Sequence, residues 1–161
     1  MYKAIARWMI TRNIERLNAG DHGPVLAMYS PEARFSFPGD NSWATMFQPH
    51  QRGRTAVATH RGRQEIEAFL RRFTELGIQL VIEDILVNGP PWRARAAVRC
   101  HDFAPGDGGD VYTNRAVLWI ETRWGRIVEH EDYEDTERSA AYDTYLEATA
   151  ATASSARSAA V

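Results

Sequence analysis

The sequence predicts an α+β fold: a cone-shaped roll whose curved, mainly antiparallel sheet is covered on its concave face by three helices, with one more helix at the C-terminus. Three observations predict it. Helical periodicity dominates before Gly77, and four extended runs separated by turn-forming residues follow it. The chain of 161 residues is long enough for one respectable core but not for two. Helices gathered ahead of a strand meander must cover one face of its sheet, which leaves the other face to solvent or to another subunit.

From Tyr2 to Ala19, the residues Ile5, Trp8, Met9, Ile14 and Leu17 recur mostly at three- and four-residue spacing, marking an amphipathic helix that Gly20 ends. Asp21 caps a second, short helix over Pro24 to Tyr29, and Ser30-Pro31 breaks it. Ala33 to Phe37 alternates as a strand stopped by Pro38-Gly39. The polar stretch with Asn41, Pro49, Gln51 and Gly53 fits a loop or an irregular hairpin. Arg63 to Leu76 sets Ile66, Phe69, Leu70, Phe73 and Leu76 on one stripe, a third helix that Gly77 stops.

Extended runs then cover Ile78 to Asn88, Trp92 to Phe103, Val111 to Arg123 and Arg126 to Tyr133, joined by segments of turn composition into an antiparallel meander. Runs this long bend strongly, so the side under the helices closes into a cone with an apolar interior and an open mouth, the usual shape of a ligand site. Asp135 to Ala148 returns to helical spacing. Residues 1–148 therefore read as one domain, and the Ala/Ser-rich tail 149–161 is expected to fray. No internal repeat is visible.

Hydrophobic residues at 44% and charged residues at 25% match ordinary globular usage. No apolar run approaches the ~20 residues of a spanning helix, and the opening MYKAIARWMITRNIERL lacks the pattern of a secretory signal. A cytoplasmic protein without a membrane partner is expected. The formal net charge is −2, and the basic residues are spread rather than clustered, so no nucleic-acid partner is expected either. A single cysteine, Cys100, rules out an intramolecular disulfide and a cysteine-based zinc cage, and its neighbours suggest a small buried apolar residue. His22, His50 and His60 sit in expected loops without metal-ligand spacing, and neither a phosphate-binding glycine loop nor a Gly-x-Ser-x-Gly elbow is present. No metal and no cofactor are expected.

Strand alternation divides the candidate site residues. Arg95, Ala97, Arg99, His101 and Phe103 share one face of their strand, while Ala94, Ala96, Val98, Cys100 and Asp102 share the other. If the polar set faces inward, Arg99 and His101 belong to the site; if the small apolar set does, they lie outside and serve a dimer contact. Along the last strand, the same rule groups Val128, His130 and Asp132 against Ile127, Glu129, Glu131 and Tyr133. Tyr112, Asn114 and Trp119, with Trp8, Tyr29, Trp43 and Trp92, could line a pocket for a flat apolar ligand, although Trp8 on its helix stripe fits a core role.

Three segments carry a family resemblance: Ala33-Arg34-Phe35-Ser36-Phe37-Pro38-Gly39, Gly62-Arg63-Gln64-Glu65-Ile66-Glu67-Ala68-Phe69 and Gly125-Arg126-Ile127-Val128-Glu129-His130-Glu131-Asp132-Tyr133. With the element order, over about residues 3–147, they make the chain resemble the nuclear transport factor 2-like superfamily, in its SnoaL-like polyketide cyclase, ketosteroid isomerase-like and limonene-epoxide hydrolase-like branches. Fold does not decide function in such a group. In the isomerase pattern, the base precedes the proline after the first strand; Phe37 stands there and cannot take a proton, while Asp40 lies three residues on. The epoxide hydrolase branch implies Asp132 as the pocket carboxylate, because Asp132-Tyr133 followed by Asp135 resembles its Asp-Tyr-Phe-Asp run. Its Arg-x-Asp corresponds to Arg99-Cys100-His101, with a histidine in place of the aspartate.

Three functions follow as expectations. The first is a cofactor-free isomerase, cyclase or lyase acting on a hydrophobic carbonyl compound such as a polyketide or steroid. Its base would be Asp132 or His101, its oxyanion donor Arg99 or Tyr112, with Asp40 a further participant and Phe37, Trp43, Asn114, Trp119 and His130 binding substrate. Water addition to an epoxide is the second, and a non-catalytic ligand-binding or assembly-stabilising domain is the third. A half-covered sheet is commonly paired across a two-fold axis, so a homodimer is expected, and a monomer in light scattering at micromolar concentration would reject it.

Overall fold

A computed structural model describes residues 1–38 and 57–159. Asp40 and Trp43, two of the expected site residues, lie outside the described residues. The elements run α1 (Tyr2–Asn18), α2 (Gly23–Met28), β1 (Tyr29–Pro38), β2 (Val57–Arg61), α3 (Gly62–Glu75), β3 (Gln79–Asn88), β4 (Arg95–Gly106), β5 (Gly109–Arg123), β6 (Arg126–Glu134) and α4 (Thr136–Ala159). Six strands form one mixed sheet in the order β2-β1-β6-β5-β4-β3. Only the β1–β6 pair among them is parallel. After α3 the chain starts again at the far edge, and the meander works back strand by strand until β6 closes against β1. This is the expected α+β arrangement.

The hairpin of β1 with β2 corrects one expectation. Val57 to Arg61 pairs antiparallel with Arg34 to Pro38, and His60 is a fully buried strand residue rather than part of a loop. Its ring meets Phe37 edge-on at 6.0 Å and lies 5.5 Å from Phe69, so aromatic packing holds it. Helix α3 turns Ile66, Phe69, Leu70 and Phe73 onto the sheet as its stripe predicts. Gly77 follows at φ 67°, a left-handed position that a residue with a Cβ rarely adopts.

Register shifts occur in four of the strand pairings, and two of them bear on the expected facings. Glu83 is an extra residue in β3 opposite the step from Cys100 to Arg99, and Val128 is an extra residue in β6 opposite the step from Glu121 to Thr122. A bulge inserts one residue and reverses the facing of everything beyond it. Ile127 therefore points inward together with His130 and Asp132, and the grouping of Val128 with those two does not hold.

Helix α1 lies against β3. Asn18 exchanges hydrogen bonds with Leu80, its Nδ2 donating to the carbonyl at 2.8 Å and its Oδ1 accepting from the amide at 2.9 Å, and Arg7 Nε donates to the Ile85 carbonyl at 3.1 Å. The buried stripe of α1 includes Ile14 and Leu17, but Trp8 is 59% exposed with Arg12 5.4 Å above its ring. The core role expected for Trp8 is thus corrected. Against β5, α4 buries Ser139 and stacks Tyr142 on Tyr112 at 4.5 Å. It continues to Ala159 instead of ending near 148, as the high helix propensity of its alanines allows.

Candidate functional site

Between the concave face and α1 to α3 lies a cavity of about 310 Å³, the size of a small-ligand pocket. Its walls are mostly apolar: Ile10 and Ile14 from α1, Phe35 and Phe37 from β1, and Leu118 and Ile120 from β5 are representative. Into this lining project a few polar side chains, chiefly Asp102, His130, Asp132 and Glu134, with Tyr2 and Tyr29.

His130 is fixed on three sides. Its ring stacks on Phe35 at 4.0 Å and 4°, its Nδ1 lies 2.5 Å from the Tyr29 hydroxyl, and its Nε2 lies 3.0 Å from Asp132 Oδ1. Burial, and then the charge of Asp132, raise the Tyr29 phenol well above its ordinary value, so it stays an O–H. A carboxylate beside Nε2 disfavours a bare lone pair there, which selects the Nε2–H tautomer and makes Tyr29 the donor to Nδ1. The Nε2–Asp132 approach has ion-pair distance without hydrogen-bond alignment, so His130 Nε2 and Asp132 Oδ1 are both buried without a hydrogen-bond partner.

Asp102 adds a second carboxyl. It is 7% exposed, and its Oδ1 is also without a hydrogen-bond partner. Burial raises its pKa from 3.8 to about 6, with the charge of Asp132 adding to the rise and a hydrogen bond from Tyr112 opposing it. Tyr112 in turn accepts from Asn114 Nδ2 at 3.1 Å, and the same amide reaches the Asp135 carbonyl at 3.0 Å and Ser139 Oγ at 3.2 Å. Cys100, on the same inward row as Asp102, is buried with its Sγ 3.7 Å from the Ala116 carbonyl. Desolvation pushes its thiol up, away from any nucleophilic role.

Of the expected site residues, the structure brings Phe37, His130 and Asp132 to the cavity wall. Tyr112 and Asn114 are buried behind Asp102 and reach the cavity only through it. Arg99 and His101 do not reach it. The small apolar row of β4 faces inward, so both stand on the outer face, where Glu83 is 3.0 Å from Arg99 Nε and 3.3 Å from His101 Nδ1. Trp119 shares that outward parity, its Nε1 donating to Glu121 Oε1 at 3.4 Å. Sequence reasoning missed Asp102 as a site residue. Its signal was a lone carboxylate at the end of the row Ala94, Ala96, Val98, Cys100: an acid on an otherwise apolar, inward-facing row.

Three comparisons bear on this arrangement. A family model described as a SnoaL-like domain matches residues 10–130. No curated protein matches significantly. Among solved structures, a cystatin-like-fold protein of unknown function from Methylobium petroleophilum PM1 is 21% identical, with a TM-score of 0.60 over 81% of this chain and 76% of that one. A nuclear transport factor 2-like protein of unknown function from Burkholderia pseudomallei K96243 is 22% identical, with a TM-score of 0.57 over 81% and 91%. A candidate isomerase from Rhodopseudomonas palustris is 15% identical, with a TM-score of 0.54 over 82% and 90%. At these identities the likeness is one of fold.

Proposed function

The chain belongs to the SnoaL-like domain family, and from that premise we propose that it catalyses proton transfer on a hydrophobic carbonyl compound, as an isomerase, cyclase or lyase without a cofactor. One observation carries the reading: three buried polar atoms, His130 Nε2, Asp132 Oδ1 and Asp102 Oδ1, border an apolar cavity without hydrogen-bond partners. Groups so placed are costly unless a ligand satisfies them.

The two carboxyls have different surroundings, the condition for dividing acid and base roles between them. Asp132, beside the imidazole, takes a proton from the carbon next to the carbonyl. As that C–H bond breaks, its electron pair moves onto the carbonyl oxygen. Asp102, whose pKa of about 6 leaves a protonated fraction near neutrality, donates to the developing enolate. Return of a proton at another carbon gives an isomer, and attack of the enol carbon on a second carbonyl gives a ring. The epoxide-opening alternative needs Arg99 and His101 beside Asp132, and they stand on the opposite face of the sheet.

The test is deuterium incorporation from D2O next to the carbonyl of polycyclic and linear ketones that calorimetry shows to bind. The wild type incorporates deuterium, and Asp132→Asn slows incorporation by roughly 10² to 10⁴. Asp102→Asn abolishes the decline in rate that accompanies deprotonation of the donor as pH rises through about 6. Ketones that bind without exchange, or exchange unaffected by Asp132→Asn, would replace catalysis by simple ligand binding.

A further inference from the structure

The cavity opens at one end of the molecule. Its solvent-exposed lining residues are Ile5, Met9, Pro91, Arg95 and Gly125. These come from the N-terminal half of α1, the β3–β4 loop and the β5–β6 turn, which meet there: the Trp124 amide donates to the Trp92 carbonyl at 3.1 Å. Around this opening the apolar exposure is large. Trp124 is 82% exposed, Trp92 53% and Ile5 52%.

Trp124 is also held in an uncommon backbone state. The hairpin between Arg123 and Arg126 turns on Trp124 at φ 50° and Gly125 at φ 76°. A two-residue turn with both φ positive favours Asn-Gly, and a bulky side chain at its first position is an outlier. Such an outlier that also points its indole into water has no packing reason to persist.

Charge is uneven in the same region. Lys3, Arg7, Arg93, Arg95, Arg123 and Arg126 are all exposed on these three segments, in a chain whose net charge is −2. Among the described residues, one of the six is offset by an acid at the opening, Arg95 by Glu121 at 3.1 Å. Exposed tryptophans on segments that also carry exposed cations suit the boundary of an anionic bilayer, where indoles sit at headgroup depth and lysine and arginine meet lipid phosphates.

We infer that the cavity mouth docks on an anionic lipid surface, so that apolar ligands pass between bilayer and cavity without crossing water. No described helix is long and apolar enough to span a membrane, and the contact is peripheral. The expectation of no membrane partner rested on the absence of a long apolar run. Here the apolar residues are scattered over three segments and gather only in the fold. The inference stands on the mouth alone and is independent of the chemistry assigned to Asp102 and Asp132.

The experiment is sedimentation of the full chain with vesicles of equimolar phosphatidylcholine and phosphatidylglycerol, against vesicles of phosphatidylcholine alone. The protein partitions onto the anionic vesicles, its tryptophan emission shifts to the blue, and salt weakens the binding. Reversing Lys3, Arg93 and Arg123 to Glu lowers the partition coefficient by about a hundredfold or more, at about fivefold for each cation neutralised. Trp92→Ala combined with Trp124→Asn lowers it at least tenfold while the melting temperature is kept or raised, because Asn-Gly suits the turn. Equal partition onto neutral vesicles, no partition, or full binding by either variant overturns the inference. So does self-association that the tryptophan variant abolishes in a protein that never binds vesicles, which would make the mouth a contact between copies.

Discussion

Burial holds the Asp102 carboxyl at about 6, above its ordinary 3.8. Between these values the folded chain keeps a proton that the unfolded chain has released, so stability falls as pH rises from about 4 to about 6 and levels off above. The difference corresponds to about 3 kcal/mol at its upper bound. Asp102→Asn keeps the shape and removes the charge, so it is expected to stabilise the fold by up to that amount at about pH 8 and by little at about pH 4. Urea melts at the two pH values measure it, and equal stability of wild type and variant at the higher one would contradict the burial cost. At this scale, Asp132 was legible through the family run it resembles, and His130 through sharing its strand parity. Arg99 and His101 were read in the same way, yet they serve the outer face around Glu83. Composition alone cannot separate a polar residue facing a ligand from one facing water; only the side of the sheet does, and a one-residue slip inverts it.

Element order and type were largely readable, since helical spacing and turn-forming residues mark α1, α3 and the four strands of the meander directly. The bulges at Glu83 and Val128 were not, because an extra residue in a strand leaves no compositional trace. Strand β2 was hidden in a polar stretch and is strand only because β1 pairs with it. The join between β5 and α4 centres on one amide, beside the Tyr112–Tyr142 stack and the hydrogen bonds from Arg138 to Thr113. Asn114 Nδ2 lies within 3.4 Å of Tyr112 Oη, Glu134 Oε2, the Asp135 carbonyl and Ser139 Oγ, and its Oδ1 accepts from the Arg115 amide at 2.8 Å. Asn114→Ala leaves several buried partners unsatisfied, at roughly 2 to 4 kcal/mol. Hydrogen exchange should speed up in the first turns of α4 while β3 and β4 keep their protection. Uniform loss of protection across the sheet would show that α4 is no separate unit.

For the whole molecule, the sheet's curvature leaves the chain with an apolar hollow it does not fill. Around a cavity of about 310 Å³ the lining side chains lack packing partners on one side, a standing cost in dispersion contacts. A cavity retained at that cost points to a ligand, and filling it should separate stability from binding. Ala96 offers the site: it lines the cavity on the inward row of β4, 7% exposed, in register with Ile120 and Val87. Ala96→Phe places an aromatic ring in the hollow without adding a polar group. The expected result is an unchanged or higher urea midpoint together with loss of binding of 1-anilinonaphthalene-8-sulfonate, whose fluorescence reports occupancy of an apolar site. Leu118→Ala, which enlarges the same hollow, should lower the midpoint, by roughly 2 to 5 kcal/mol in stability, while binding of the dye persists. Undiminished dye binding by a stably folded Ala96→Phe would place the ligand elsewhere on the molecule. The atoms of His130, Asp132 and Asp102 without hydrogen-bond partners would then need another explanation.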